Sequence, residues 1–520
     1  MKLKLIFPPF EDVFKARIPF VPVGISTLFS YLKAEGMDVE QDDLNVRTAF
    51  YNQTHDSQIS VFFDKRRLTD FLDGISGDLL DGACQRIMDL TQIKRYDMVG
   101  FSIIQGAQLQ PALALAKKIK EDIGCKILFG GQQAARNLVE QYDFVDYAVL
   151  GEGQVPVKML CESIEGNRSF DNIPRFVYRQ SGKVFENQGN SWLGVNQSPA
   201  PDFEGLPLQM YKEMKHKFGN EYECYDMLLL PYYFMEGCTG HCFFCAPERQ
   251  NLNLKPVSQV IDDLVYLKSK FRTKYFYFLN NTVNADERYL EELCKRMVSD
   301  DLDIMWSDSA RLDNLDSSLL SLMKDSGCVK LAWGLEAGSQ SLLAKMNKNL
   351  NLAAAERILH ISNEKGIWNE ANLIIGFPYE TEAEFCETVS FLVRNKSIVD
   401  WINVSPFFLN RGTVMYKYPE RFRIRINGSI ADDSGTPIFD EIDGMDWQKR
   451  KDVVLTRGQA IVKLLNQRHD VHLTDTLYYY YGQLEEKESV RRAFEDIYKH
   501  VWFTEENPEM RQFDCAGGNQ

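Results

Sequence analysis

Apolar runs alternate with amphipathic stretches over residues 1–165. The runs at 3–7, 39–43, 98–103, 126–129 and 147–150 read as strands, and the stretches at 24–35, 109–123 and 155–164 carry helical spacing. Such alternation predicts a Rossmann-like α/β domain, a parallel sheet with helices on both faces. Residues 45–94 interrupt it as a less regular insertion. Residues 166–220, rich in Asn, Gly, Ser and Pro, read as a linker with short strand-like pieces such as 176–178. A second alternation fills 221–412, with strands expected at 227–233, 275–279, 304–307, 329–334, 372–376 and 402–405. Helical patterns lie between them at 257–268, 287–298, 317–323, 352–365 and 382–394. This predicts a partial (β/α)6 barrel of TIM type, with active groups at the strand carboxyl ends. Thr381 and Glu384 are spaced as a capping box opening the last of these helices.

Beyond 412 the alternation stops. Residues 413–520 read as a small, mainly helical region, with helices at 446–467 and 490–500. Between them stand the consecutive tyrosines 478–481. Contiguous aromatics cannot all face one way, so they are expected to pack the tail onto the barrel.

Composition narrows the class. The 520 residues carry 44% hydrophobic and 26% charged residues, as in ordinary globular proteins. A formal net charge of −15 with no Lys/Arg-rich run argues against a nucleic-acid groove. No apolar run reaches membrane-spanning length. The N-terminus reads as a strand rather than a signal peptide, so a cytoplasmic location is expected. Of 11 cysteines, Cys84, Cys125, Cys161, Cys224, Cys294, Cys328, Cys386 and Cys515 are scattered. Most are expected to be buried small apolar residues of a reduced protein.

The other cysteines, Cys238, Cys242 and Cys245, are spaced C-x3-C-x2-C after a predicted strand. Thiolates are the usual ligands of iron–sulfur clusters, and a cubane takes four, so a cluster held here keeps one iron open to a small molecule. A structural zinc site needs a fourth ligand. His241 lies in the loop, but no second C-x2-C or H-x3-H pair follows at zinc-finger distance. In the first domain, turn-prone residues fall at predicted strand ends: Pro8, Ser102, Gly130, Gly131, and Gly151, Glu152 and Gly153. Each suits a strand-to-helix turn, and each also suits close approach of a flat ligand.

The cysteine spacing, with aromatic Phe244 before the third cysteine, resembles the radical S-adenosylmethionine (SAM) enzymes. Gly334-Leu-Glu-Ala-Gly-Ser339 and Gly376-Phe-Pro-Tyr-Glu-Thr381 resemble the fourth- and fifth-strand signatures of their cobalamin-binding branch, G-x-E-S-G-S and G-x-P-G-E-T. Ala337 and Tyr379 depart from that pattern. The resemblance implies a 4Fe-4S cluster on Cys238, Cys242 and Cys245, and SAM beside Phe244, Glu336, Ser339, Gly376 and Pro378. Asn280, Trp306 and Arg311 become polar candidates at the barrel mouth. Phe101-Ser102, Gly130-Gly131 and Gly151-Glu-Gly153 resemble a cobalamin-binding domain. The D-x-H-x-x-G motif is absent, and His55, the region's histidine, has Gln53 two residues earlier. Cobalamin is therefore expected without a lower histidine ligand.

The function expected is a cobalamin-dependent radical SAM methyltransferase acting on an unactivated carbon. An external electron donor such as flavodoxin or ferredoxin is implied. The alternative is a non-methylating radical enzyme (cyclisation, rearrangement or oxidation), with cobalamin or with a vestigial cobalamin domain. A methylthiotransferase would carry a further cysteine triad in its first domain, where only Cys84 and Cys125 precede Cys161. A peptide, a lipid or a small molecule is equally compatible as substrate, and no catalytic hydrogen donor stands out.

Overall fold

The computed structural model describes residues 1–9, 20–54, 59–75, 77–104, 106–213, 216–218, 221–223, 226–245, 251–431, 436–465, 473–484 and 486–498. His55, Cys224 and Cys515 lie outside the described residues. The chain forms two compact units, 1–217 with 222–231, and 218–221 with 232–520.

The first unit is built on a seven-stranded sheet. Its strands are β1 (Lys2–Phe7), β2 (Asp38–Asp43), β3 (Met98–Ser102), β4 (Lys126–Gly130), β5 (Tyr147–Val149), β6 (Phe176–Gln180) and β7 (Lys183–Glu186), in the order β2-β1-β3-β4-β5-β6-β7. Strands β1 to β5 are parallel; β6 and β7 are antiparallel. Alternate strand residues enter opposite cores, as period-two side-chain direction requires. Val99, Phe101, Ile127 and Phe129 enter one core, and Leu3, Leu5, Met98 and Leu128 the other. The insertion is helical. Leu44–Thr54, Lys65–Leu72 and Asp78–Thr91 feed Leu44, Leu68, Phe71, Leu80 and Ile87 into the first core. Residues 166–220, expected as a connection, hold the β6–β7 hairpin that extends the sheet.

A second, six-stranded sheet is carried mainly by the second unit. Its strands, in both chain and sheet order, are Leu229–Tyr232, Tyr275–Phe278, Met305–Ala310, Cys328–Glu336, Trp368–Ile375 and Trp401–Pro406. The second to sixth run parallel, with helices between them. Side-chain caps start several of these helices, from Asp286, Asp316, Ser339 and Asn351. Thr381 and Glu384 complete the expected capping box.

The C-terminal region splits in two. Helix Leu473–Leu484 sends buried Tyr478 and Tyr481, three positions apart on one face, to the carbonyls of Phe276 and Gly366. Lys487 and Arg491, from helix Lys487–Tyr498, donate to Ile367 and Ser397 oxygens. These contacts lie toward the strands' amino ends. Helix Trp447–Leu465 instead packs where the fifth strand finishes.

Candidate functional site

The cysteine loop follows the first strand of the second sheet and is fixed by the loops after the second and fourth. Asn280 Oδ1 accepts from the Phe234 and Met235 amides at 3.1 and 3.0 Å, and Asn281 Oδ1 accepts from Gly237 N at 3.1 Å. Asn347 Nδ2 donates to His241 O at 2.6 Å, and Phe243 N donates to Met346 O at 3.0 Å. The Phe243 ring meets Phe422 edge-on at 5.1 Å and lies under the Arg421 guanidinium at 5.0 Å. An aromatic pair of this kind adds about 0.5–1.5 kcal/mol beyond its burial. Phe244, half-buried, sits in the turn closed by Cys245 N donating to Cys242 O at 3.2 Å.

Cys238 and Cys242 are half-buried and Cys245 is exposed, all as free thiols. Cys84, Cys125, Cys161, Cys294 and Cys328 are free and buried. Burial raises the Cys242 thiol above its ordinary value. Metal binding would displace the thiol protons. Among the described residues, no three Cys, His, Asp or Glu side chains gather as around a single ion. A cubane takes each thiolate on a different iron, so three ligands strung along one short loop fit it.

Cations face this loop. Arg311, just past the third strand, pairs with Asp313, and a Cβ on Gly240 would lie 2.7 Å from Arg311 Nη1. Gly240 N donates to Cys238 Sγ at 3.3 Å. Lys348 pairs with Glu336 at 2.9 Å, both side chains nearly buried. Lys348 and Arg311 both favour the Cys242 thiolate, against the opposing charge of Glu336. Glu336 itself stands at φ +66°, where the register shifts at the end of the fourth strand. Asn280 Nδ2 donates to Asp308 Oδ2 at 2.6 Å. Burial pushes the Asp308 carboxyl up to about 8, outweighing hydrogen bonds that favour its ionised form.

Other expected site residues take different places. Ser339 is fully buried and caps helix Gln340–Lys345, with Ser341 Oγ 3.0 Å away. Trp306 is not at the sheet's mouth. The third strand runs on to Ala310, and the indole is buried near its start, stacked on Phe278 and donating to Ser326 O at 3.1 Å. Gly376 and Pro378 are buried, and Gly376 lies under Val454 of helix Trp447–Leu465. Sequence reasoning did not assign Lys348, Asp308, Glu380, Arg450 or Arg457 to the site. Lys348 had a local signal, its position just after the fourth-strand signature. Arg450 reaches Gly376 and Arg457 reaches Glu380 across separations of 74 and 77 residues.

In the first unit, the predicted turn residues do fall at the carboxyl ends of β1, β3, β4 and β5. Pro8 is buried, its carbonyl accepting from Gln108 Nε2 at 3.1 Å, and half-buried Ser102 pairs in register with Gly130. Gly131 stands at φ +92°, where a Cβ would lie 2.4 Å from Ile103 O. Its glycine is thus required by the neighbouring backbone. Gly130 faces open space. Gly151 is exposed at φ +119°, Glu152 Oε2 accepts from Leu193 N at 3.1 Å, and Gly153 opens helix Gln154–Glu165.

Residues 232–392 match the model of the Radical SAM superfamily. The chain is 23% identical over 431 residues to an uncharacterized methyltransferase of Pyrococcus horikoshii, covering 80% of this chain and 83% of that one. It is 22% identical over 351 residues to an anaerobic magnesium-protoporphyrin IX monomethyl ester cyclase of Rubrivivax gelatinosus. That match covers 65% of this chain and 61% of the cyclase, less than two thirds of its length. Among solved structures, the chain shares the fold of TsrM from Kitasatospora setae, a radical S-adenosylmethionine methyltransferase determined with cobalamin and a [4Fe-4S] cluster bound. The TM-score is 0.66 at 14% identity, covering 96% of this chain and 99% of that one. The cysteine loop lies within the residues that match the Radical SAM superfamily.

Proposed function

We propose that the protein is a cobalamin-dependent radical SAM methyltransferase that methylates an unactivated carbon. The carrying observation is the contrast among the cysteines. The described free cysteines outside the loop are buried, while Cys238, Cys242 and Cys245 are reachable on one loop at the carboxyl end of the sheet. When bound, the cluster and SAM supply one-electron chemistry and cobalamin supplies a transferable methyl group.

The chain's own residues do the rest. Cys238, Cys242 and Cys245 hold the cluster, and Asn280, Asn281 and Asn347 fix their loop. Arg311 and Lys348 offset the negative charge that thiolates bring. Glu336, once exchanged from Lys348, offers a carboxylate to the SAM ammonium. Gly130 and Gly151 leave the strand ends of the first unit open to a macrocycle. Among the described residues, no helix is long and apolar enough to cross a membrane. A cytoplasmic setting with a flavodoxin or ferredoxin as reductant suits this chemistry.

The test is anaerobic reconstitution followed by turnover with methyl-labelled SAM. The expected result is about four irons per chain in the native protein and near none after replacing Cys238, Cys242 and Cys245 by alanine. Iron retained in the triple variant would reject the cluster site. Label recovered in the substrate supports methyl transfer. Conversion without label would favour a cyclase-like reaction, as in the Rubrivivax relative.

A further inference from the structure

The loop 376–381 after the fifth strand is gripped from the C-terminal region. Gly376 stands at φ +73°, and a Cβ there would lie 2.1 Å from Val454 Cγ2, so helix Trp447–Leu465 rests on its Cα. Gly458, one turn on, faces Ile375. Arg450 Nη1 donates to Gly376 O at 3.2 Å and to Phe407 O at 3.4 Å. Arg457 Nη1 donates to Glu380 Oε2 at 2.9 Å, the same oxygen that accepts from Gly376 N at 2.7 Å. Arg457 Nη2 reaches Glu382 Oε2 at 2.9 Å. Tyr379 N donates to Glu441 Oε1 at 2.9 Å.

Arg450, Arg457, Glu380 and Glu441 are all buried. Each of the two guanidiniums leaves a buried Nε without a hydrogen-bond partner. A buried donor left unmade costs about 1–3 kcal/mol. The grip also extends to the cysteine loop. Tyr379 O accepts from Lys345 Nζ at 2.9 Å, and the neighbouring Met346 and Asn347 hold Phe243 and His241.

We infer that Arg457, with Arg450 beside it, is a positioning residue for SAM: through Glu380 and Gly376 it holds the fifth-strand loop in the shape that SAM binding at the cysteine loop requires. This rests on the radical SAM reading above. After anaerobic reconstitution, Arg457→Met should keep the native iron and sulfide content. Its affinity for labelled SAM, by equilibrium dialysis, should fall about tenfold, or ~1.4 kcal/mol. Arg457→Lys, which keeps the charge but not the forked reach to Glu380 and Glu382, should recover part of the loss. A folded Arg457→Met variant with native SAM affinity would overturn the inference. Hydrogen exchange on the unaltered protein decides the matter if Arg457→Met does not fold. Added SAM should slow exchange in both 376–384 and 447–458, and no slowing in 447–458 would overturn the inference. Native protein that binds no SAM would instead reject the enzyme reading itself.

Discussion

At the level of single residues, the structure separates glycines that serve the backbone from one that leaves room. The sequence put Gly130 and Gly131 together as a ligand turn. Gly131 is required because Ile103 approaches its Cα, a crowding that no local pattern reveals. A Cβ at Gly130 meets nothing within 4 Å, so a side chain can start there without a backbone clash. Gly130→Trp should therefore fold, keep its iron and exclude cobalamin from the strand ends. Gel filtration after cobalamin loading checks this: cobalamin absorbance co-eluting with the variant as with native protein would remove these strand ends from the site. Tyr379 shows the reverse case. It occupies φ +61°, where the resembling signature has glycine. A non-glycine residue there costs about 1–2 kcal/mol. Its hydroxyl donates to Arg423 O at 2.8 Å, returning about 0.5–1.5 kcal/mol. Tyr379→Gly should then change unfolding free energy by less than ~1 kcal/mol in urea titrations, because the two terms nearly cancel. A larger loss would show that the tyrosine anchors more than its own turn.

Elements were legible where their pattern is local. The strand at 98–103 and the helix at 109–123 follow from apolar period alone, and β3 and helix Leu109–Ile123 match them closely. The apolar run predicts the third strand of the second sheet only to 307, because polar Asp308 and Ser309 follow. The structure extends it by placing Asp308 in the core with Asn280 as its partner. Polar residues inside a strand look like a loop until their partners are known. That buried carboxyl has a consequence for pH. Its folded value, about 8, lies above the ordinary 3.8, so the folded chain keeps a proton that the unfolded chain releases. The associated stability is fully present below the unfolded value and is lost as pH rises through about 8. Between about pH 6 and about pH 9 the native unfolding midpoint should fall, and Asp308→Asn should flatten the slope. Equal slopes in the two proteins, by thermal unfolding of the cluster-free chain, would mean that Asp308 does not hold this proton.

For the molecule as a whole, the cysteine loop and the strand-end glycines of the first sheet lie on separately built units. The first sheet has its own cores on both faces, formed by residues of 1–217. The cysteine loop draws the supports named here from residues 280–422 of the second unit. The sequence made the two alternations visible, because each unit repeats its own strand–helix period. It hid the C-terminal helix at the fifth-strand loop, because that contact joins residues far apart in the chain. If each unit folds around its own core, damage to one site should spare the other. The variant lacking Cys238, Cys242 and Cys245 should lose its iron yet take up cobalamin as the native protein does. Gly130→Trp should show the opposite pattern, with native iron and no cobalamin. Parallel iron analysis and cobalamin absorbance on the same purified fractions measure both. Loss of both cofactors in either variant, with native secondary structure by circular dichroism, would show that the two sites are assembled together rather than unit by unit.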